Sequence, residues 1–193
     1  DLAAMCGLNV PKAEAVKFSK LGTTFLVKRF DRDGEKRIHF SSAMTMLGKM
    51  DGANASDGSS YLEIVSFLKA DGAKPKRDLE ELWKRIVFSM AVSNTDDHFR
   101  NHGFILSNDG WELSPLYDVN PDIYGEYLSL NVDEYDSGID FDLAIESAPY
   151  YGLKKNQAKK EIDMIKSVVR NNWRELAKKN GISRGEIERM EPA

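Results

Sequence analysis

The run Asn94-Thr95-Asp96-Asp97-His98-Phe99-Arg100-Asn101 sets a carboxylate and a carboxamide five positions apart, and Asp118 follows seventeen residues after Asn101. An Asp and an Asn at that interval have the spacing of a protein-kinase catalytic loop, in which the Asp accepts the substrate hydroxyl proton and the Asn holds magnesium. Asp96 has this relation to Asn101; Asp97 does not. Ions that bridge the β- and γ-phosphates also need an oxygen ligand from a separate segment. Asp118, which follows the strand-like Trp111-Glu112-Leu113, is the candidate. A bare pair of this kind is weak, because Asp, Asn and His gather in ordinary loops where their side chains bond nearby backbone.

The longer string narrows the choice. Asn94-Thr95-Asp96-Asp97-His98, then Arg100-Asn101-His102-Gly103-Phe104, then Ser114-Pro115-Leu116-Tyr117-Asp118 with Pro121 behind it, resemble the HipA family of bacterial serine/threonine kinases. These are the toxin halves of toxin-antitoxin pairs. The family's motifs run roughly N-x-D-[DG]-H-x-[KR]-N and P-x-Y-D, and both are intact here. Residues 2–11 are similar to the helix and turn before the family's hinge strand, and residues 25–32 to that strand; residues 42–48 and the helix with Trp173 are also in family style.

The resemblance implies ATP and Mg2+ as cofactors, Asp96 as proton acceptor, and Asn101 and Asp118 as metal ligands. It puts the adenine edge on the backbone of Lys28, Arg29 and Phe30, and His98, Phe99, Arg100, Asn101, Tyr117 and Asp118 near the nucleotide. Lys28 stands where the family more often has Glu, a departure of little weight if the contact is through backbone. The implied partners are a HipB-like DNA-binding antitoxin and a protein substrate, with the translation machinery as one source, and DNA is reached only through the antitoxin. Arg100 is suited to offset phosphate charge, although a loop Arg is often simply solvated.

A kinase also needs a Gly-rich segment over the phosphates and a strand lysine for the α/β-phosphates. Neither is found in the 27 residues before Lys28, where Lys12, Lys17 and Lys20 lack the V-A-I-K context. The chain opens in mid-helix without Met, so the expectation is the carboxy-terminal portion of a longer kinase, inactive by itself.

Composition sets bounds. With 27 basic and 31 acidic residues the net charge is -4, which argues against a general nucleic-acid binder. One cysteine, Cys6, cannot form an internal disulfide, and its apolar setting suits a small buried thiol. No apolar run reaches the roughly 18 residues of a membrane helix, and cytoplasmic residence is the default.

The elements that must position these residues follow from hydrophobic period. The expected class is α+β, with a small antiparallel sheet as an N-lobe remnant (residues 1–50) before a mostly helical, kinase-like C-lobe (residues 51–193). Strands are expected over 13–18, 23–30 and 36–40, joined by Lys20-Leu21-Gly22 and Asp31-Arg32-Asp33-Gly34 into one sheet. Ser41-Ser42 can cap a helix through Leu47 that Gly48 ends, and the Gly/Ser/Asn/Asp-rich residues 51–60 suit a flexible loop at the lobe boundary.

Leu79, Leu82, Trp83, Ile86, Val87 and Met90 form one helical stripe, while Glu80, Glu81, Lys84 and Arg85 suit a solvated face. That helix runs into Asn94 and gives the loop a rigid base. Residues 104–106 and 111–113 read as a hairpin around an Asp-Gly turn. The acidic run Asp133-Glu134-Tyr135-Asp136 lacks the order of a calcium loop and suits solvent. Asp140 can cap a helix over 141–148, and residues 155–179 place Ala158, Ile162, Ile165, Val169, Trp173 and Leu176 on one face as core. Gly181 ends that helix and Ser183 starts a last one.

Two rival readings stand beside the kinase. Asp96, Asp97, His98 and His102 have the residue types of a transition-metal phosphohydrolase. The other is a non-catalytic module that keeps the kinase C-lobe for partner binding. Within the kinase reading, His102 suits a structural role instead, donating to a carbonyl at the hairpin start.

Overall fold

A chain with one strongly periodic apolar helix organises itself around that helix, and the computed structural model, which describes residues 1–20 and 22–191, does so. The elements run α1 (Leu2–Met5), β1 (Ala13–Ser19), β2 (Gly22–Val27), β3 (Arg32–Asp33), β4 (Lys36–Arg37), β5 (Phe40–Ser42) and α2 (Ala43–Met46). They continue α3 (Tyr61–Asp71), α4 (Pro75–Ala91), β6 (Gly103–Ser107), β7 (Gly110–Leu113), α5 (Phe141–Ser147), α6 (Lys155–Lys179) and α7 (Arg184–Arg189). The architecture is α+β, with small antiparallel sheets and a largely helical body.

Helix α4 is central because Leu82, Trp83, Ile86 and Val87 recur at 3–4-residue spacing and all four are essentially solvent-free. Full burial of such a side chain contributes about 1.5–3 kcal/mol. The helix packs on α3, α5, α6 and β7, and the Trp83 indole N–H donates to the Ala144 carbonyl of α5 at 2.9 Å. The expected caps are present where the sequence supplies the oxygens: Ser42 accepts from Thr45 N, Asp140 accepts from Asp142 N, and Ser183 makes a capping box with Glu186, while Ser60 adds an unexpected one with Glu63. Gly48 and Gly181 follow their helices at φ +64° and +77°, a backbone region open to glycine without a Cβ penalty. Cys6 is buried as expected, and burial pushes its thiol up to about 11.

Several expectations need correction. The first forty residues do not form one sheet: β1 pairs with β2, β3 with β4, and β5 leaves both to join β6 and β7. The register is Phe40 opposite Ile105, a pairing across distant sequence that no local pattern encodes. Strand β2 ends at Val27, so Lys28 to Phe30 lie beyond it, and Leu21 of the expected turn Lys20-Leu21-Gly22 lies outside the described residues. The β6–β7 turn closes on Asn108-Asp109, with Gly110 already paired to Ser107.

Residues 51–60 are more than a bare connector. They hold a 3-10 turn with an Asn54–Asp57 capping box, and Ala55 N donates to Ser129 O while Asn131 N donates to Ser59 O. Trp173 is half-buried, with the Arg174 guanidinium 4.7 Å from its ring centroid, because the apolar stripe of α6 is fully covered only at Ala158, Ile162 and Ile165. Arg85, expected on a solvated face, is 1% exposed.

Candidate active site

The loop after α4 is shaped by its own polar side chains. Asn94 N donates to Ser89 O at 2.8 Å, turning the chain back on the helix, and Ser93 takes a left-handed φ of +52°. Asn94 is buried; its Nδ2 donates to Ser89 Oγ, and its Oδ1 accepts the backbone N–H of Asn120. One loop residue thereby fixes both the helix end and the segment that carries Asp118.

The two adjacent aspartates point opposite ways. The Asp96 side chain is 85% exposed, with His98 Nε2 at 3.8 Å. Asp97 is buried, where its Oδ2 accepts from Tyr61 Oη at 2.9 Å and Ser89 Oγ at 3.4 Å, and its Oδ1 lies 3.0 Å from His102 Nε2. Burial opposes ionisation of Asp97, but attraction to His102 and the bonds from Tyr61 and Ser89 outweigh it and hold its carboxyl below the ordinary value. This partition counts against the phosphohydrolase: Asp97 and His102 are spent on each other in the core. No cluster of three metal-binding side chains of the His, Cys, Asp or Glu type forms among the described residues.

Asn101 closes the loop by donating its Nδ2 to the Asp96 carbonyl at 2.9 Å, so the two motif residues are joined directly. Phe99 is turned into the core, below the Lys49 ammonium. Arg100 Nη2 sits 2.9 Å from His98 Nε2, and its guanidinium pairs with Asp51. A cleft of about 270 Å³ opens beside these groups, lined by Asp96, His98, Arg100, Met50, Asn54 and Ser129 among others.

The Asp118 segment is tied to the loop at both ends. Tyr117 Oη donates to the Arg100 carbonyl at 2.7 Å, and Asp122 N donates to Ser93 O at 2.8 Å. Asp118 is exposed, at φ +56°, with Asn120 Nδ2 donating to its Oδ1 at 3.1 Å. Burial raises the Tyr117 phenol well above its ordinary range, so it stays a donor.

The candidate hinge reaches the same place through aromatic contacts. Phe30 stacks on Tyr117 with centroids 5.9 Å apart, and Phe40 meets both rings edge-on. Phe40 carried no signal in the sequence, since its role depends on the β5–β6 pairing. The Lys28 N–H is already donated to Lys12 O, and the Arg29 guanidinium forms a two-pronged pair with Asp31, leaving the chain from Arg29 to Phe30 as the open part of the segment. Gly103 makes the aromatic cluster fit, because a Cβ there would fall 2.3 Å from the Phe40 ring and 3.1 Å from Tyr117 Oη. Gly103→Ala is expected to lower stability by about 1–3 kcal/mol through overpacking, read as a reduced urea midpoint. An unchanged midpoint would mean the ring swings away freely.

The model of the HipA-like C-terminal domain matches residues 1–173. The chain belongs to this family. It is 28% identical over 155 residues to the serine/threonine-protein kinase toxin HipA of Shewanella oneidensis, covering 69% of this chain and 36% of that protein. The HipA-like chain spans about a third of the length of the curated relatives it matches. Among solved structures it resembles the HipA, HipB and operator DNA complex of Shewanella oneidensis, with a TM-score of 0.73, 22% identity, and coverage of 85% of this chain and 44% of the other. It also resembles the Helicobacter pylori proinflammatory kinase CtkA, with a TM-score of 0.54, 13% identity, and coverage of 91% and 84%. At those identities the two structures speak for the fold.

Proposed function

We propose that this HipA-like chain supplies the catalytic loop and metal-binding segment of an ATP-dependent protein serine/threonine kinase, the toxin of a toxin-antitoxin pair. The observation that carries the reading is the joined geometry: Asn101 bonded to the Asp96 carbonyl, and Tyr117 bonded to the Arg100 carbonyl immediately before Asp118. The donor chemistry fits magnesium, a hard ion that takes carboxylate and amide oxygens. Asn101 uses its Nδ2 internally, which leaves the amide oxygen as the ligand atom, and Asp118 offers an exposed carboxylate.

In this reading Asn101 and Asp118 would hold the ion, which would supply neutralising charge for the transferring phosphoryl group. Asp96 accepts the proton of the substrate Ser or Thr hydroxyl; its exposure lets a macromolecular substrate reach it. Arg100 and His98 face the phosphates, and the backbone of Lys28, Arg29 and Phe30 takes the adenine edge over the Phe30, Phe40 and Tyr117 rings. Residues 1–50 then act as the lower edge of an N-lobe and residues 51–193 as the C-lobe. The complex of HipA with HipB and operator DNA supports an antitoxin partner; in this reading that partner binds DNA and the chain reaches DNA only through it. A substrate in the translation machinery and cytoplasmic residence belong to the same reading; no described helix is long and apolar enough to cross a membrane.

Asp118→Ala in the intact kinase is expected to weaken Mg2+-nucleotide binding at least about tenfold, since even loss of a ligand's supporting partner costs that much. Turnover should fall with it, and ATP binding in EDTA should not change. Calorimetric titration with and without Mg2+ tests this; equal Mg2+ dependence in variant and wild type would reject Asp118 as a ligand.

A further inference from the structure

Arg85 is the least expected charge in the molecule. It lies on α4, 1% exposed, within reach of the carboxylates of Glu81, Asp97 and Asp78, with Nη1 lacking a hydrogen-bond partner among the described residues. Removing a guanidinium from water is costly unless pairing offsets it, and a methionine would fill such a space at lower cost. Its partners show what the fork does instead. Nε and Nη2 both donate to Glu81 Oε1, at 2.9 and 2.8 Å, and Nη2 donates to the Ser114 carbonyl at 2.8 Å. Glu81 Oε1 also accepts the Asn9 N–H at 3.0 Å, and the Asn9 carbonyl accepts the Leu116 N–H at 2.7 Å. The buried cation therefore holds the chain at Ser114 directly and at Leu116 through Glu81 and Asn9.

Two residues further on, the backbone enters the left-handed region at Asp118. A non-glycine residue there is strained and persists only where the surroundings over-determine it. Asp78 on the same helix accepts the Leu113 N–H at 3.0 Å, so α4 grips both sides of the peptide that leaves β7.

We infer that Arg85 is a positioning residue for Asp118, holding the Ser114 carbonyl so that the following turn presents the Asp118 carboxylate to the metal. This rests on the reading of Asp118 as a magnesium ligand. Lysine in place of Arg85 keeps the charge but loses the planar fork that serves Glu81 and Ser114 together.

The test measures the Mg2+ concentration for half-maximal phosphoryl transfer by the intact kinase, ATP affinity in EDTA, and the thermal midpoint. Arg85→Lys is expected to raise the Mg2+ midpoint about tenfold, and Glu81→Gln about threefold, with metal-free ATP affinity unchanged. A role confined to packing would lower the thermal midpoint of both variants and leave the Mg2+ midpoint where it was, which overturns the inference. Should Arg85→Lys fail to fold, Glu81→Gln decides: an unmoved Mg2+ midpoint in that variant also overturns it. A wild-type protein that binds no Mg2+-nucleotide and transfers no phosphate would overturn the kinase reading, and this inference with it.

Discussion

Asp96→Asn should fold like the wild type, bind Mg2+-nucleotide with wild-type affinity, and transfer phosphate about 10²–10⁴-fold more slowly, the range over which a positioned general base contributes. The Asp96 side chain is 85% exposed and its nearest ionic neighbour, His98, is 3.8 Å away, so the fold draws almost nothing from it. Surface changes of this kind usually stay within about 0.5 kcal/mol. The amide keeps the shape and removes the proton acceptor. Radiolabelled transfer from ATP in the intact kinase, beside calorimetric nucleotide binding, reads the two effects separately. A variant with wild-type transfer would dismiss Asp96 as the base.

The neighbouring substitution should do the reverse. Asp97→Ala removes the acceptor of Tyr61 and Ser89 and the partner of His102, all in the core, and should cost about 3–5 kcal/mol, as breaking one side of a buried ionic contact does. Chemical denaturation measures it; a loss below about 1 kcal/mol would show that the network relaxes around the gap. The same group gives a pH signature. Its folded carboxyl titrates below the ordinary value of 3.8, so its stabilisation is present above the unfolded value and disappears as pH falls through the folded one. Wild-type stability should therefore decline below about pH 4, and Asp97→Asn should decline less steeply over that interval. Parallel pH profiles would remove Asp97 from the account.

The contrast between the two aspartates shows what a sequence can and cannot carry. Asp96, Asn101 and Asp118 were legible as a candidate site because the chemistry demands particular groups at particular intervals. The α4 stripe was legible because Leu82, Trp83, Ile86 and Val87 repeat with the helix. Arg85 was not: four residues after Glu81, it has the signature of a solvated pair, and only the arrival of Ser114 and Asn9 from elsewhere buries it. Phe40 escaped for a similar reason, since its place beside Phe30 and Tyr117 follows from pairing with Ile105. Trp173 misled in the other direction, because periodicity records which face is apolar and not whether a neighbour reaches far enough to cover it.

The pairing of β5 with β6 also sets a timetable for the nascent chain. Ile105 stands 65 positions after its partner Phe40. At about 5–20 residues per second, β5 leaves the ribosome roughly 3–13 s before the strand it needs exists. Over that interval Phe40 has neither Ile105 across from it nor Tyr117 to pack on. Chaperone demand for β5 should be concentrated in that window and end once β6 and β7 close, which makes the last strands of the sheet the step that retires β5 from risk.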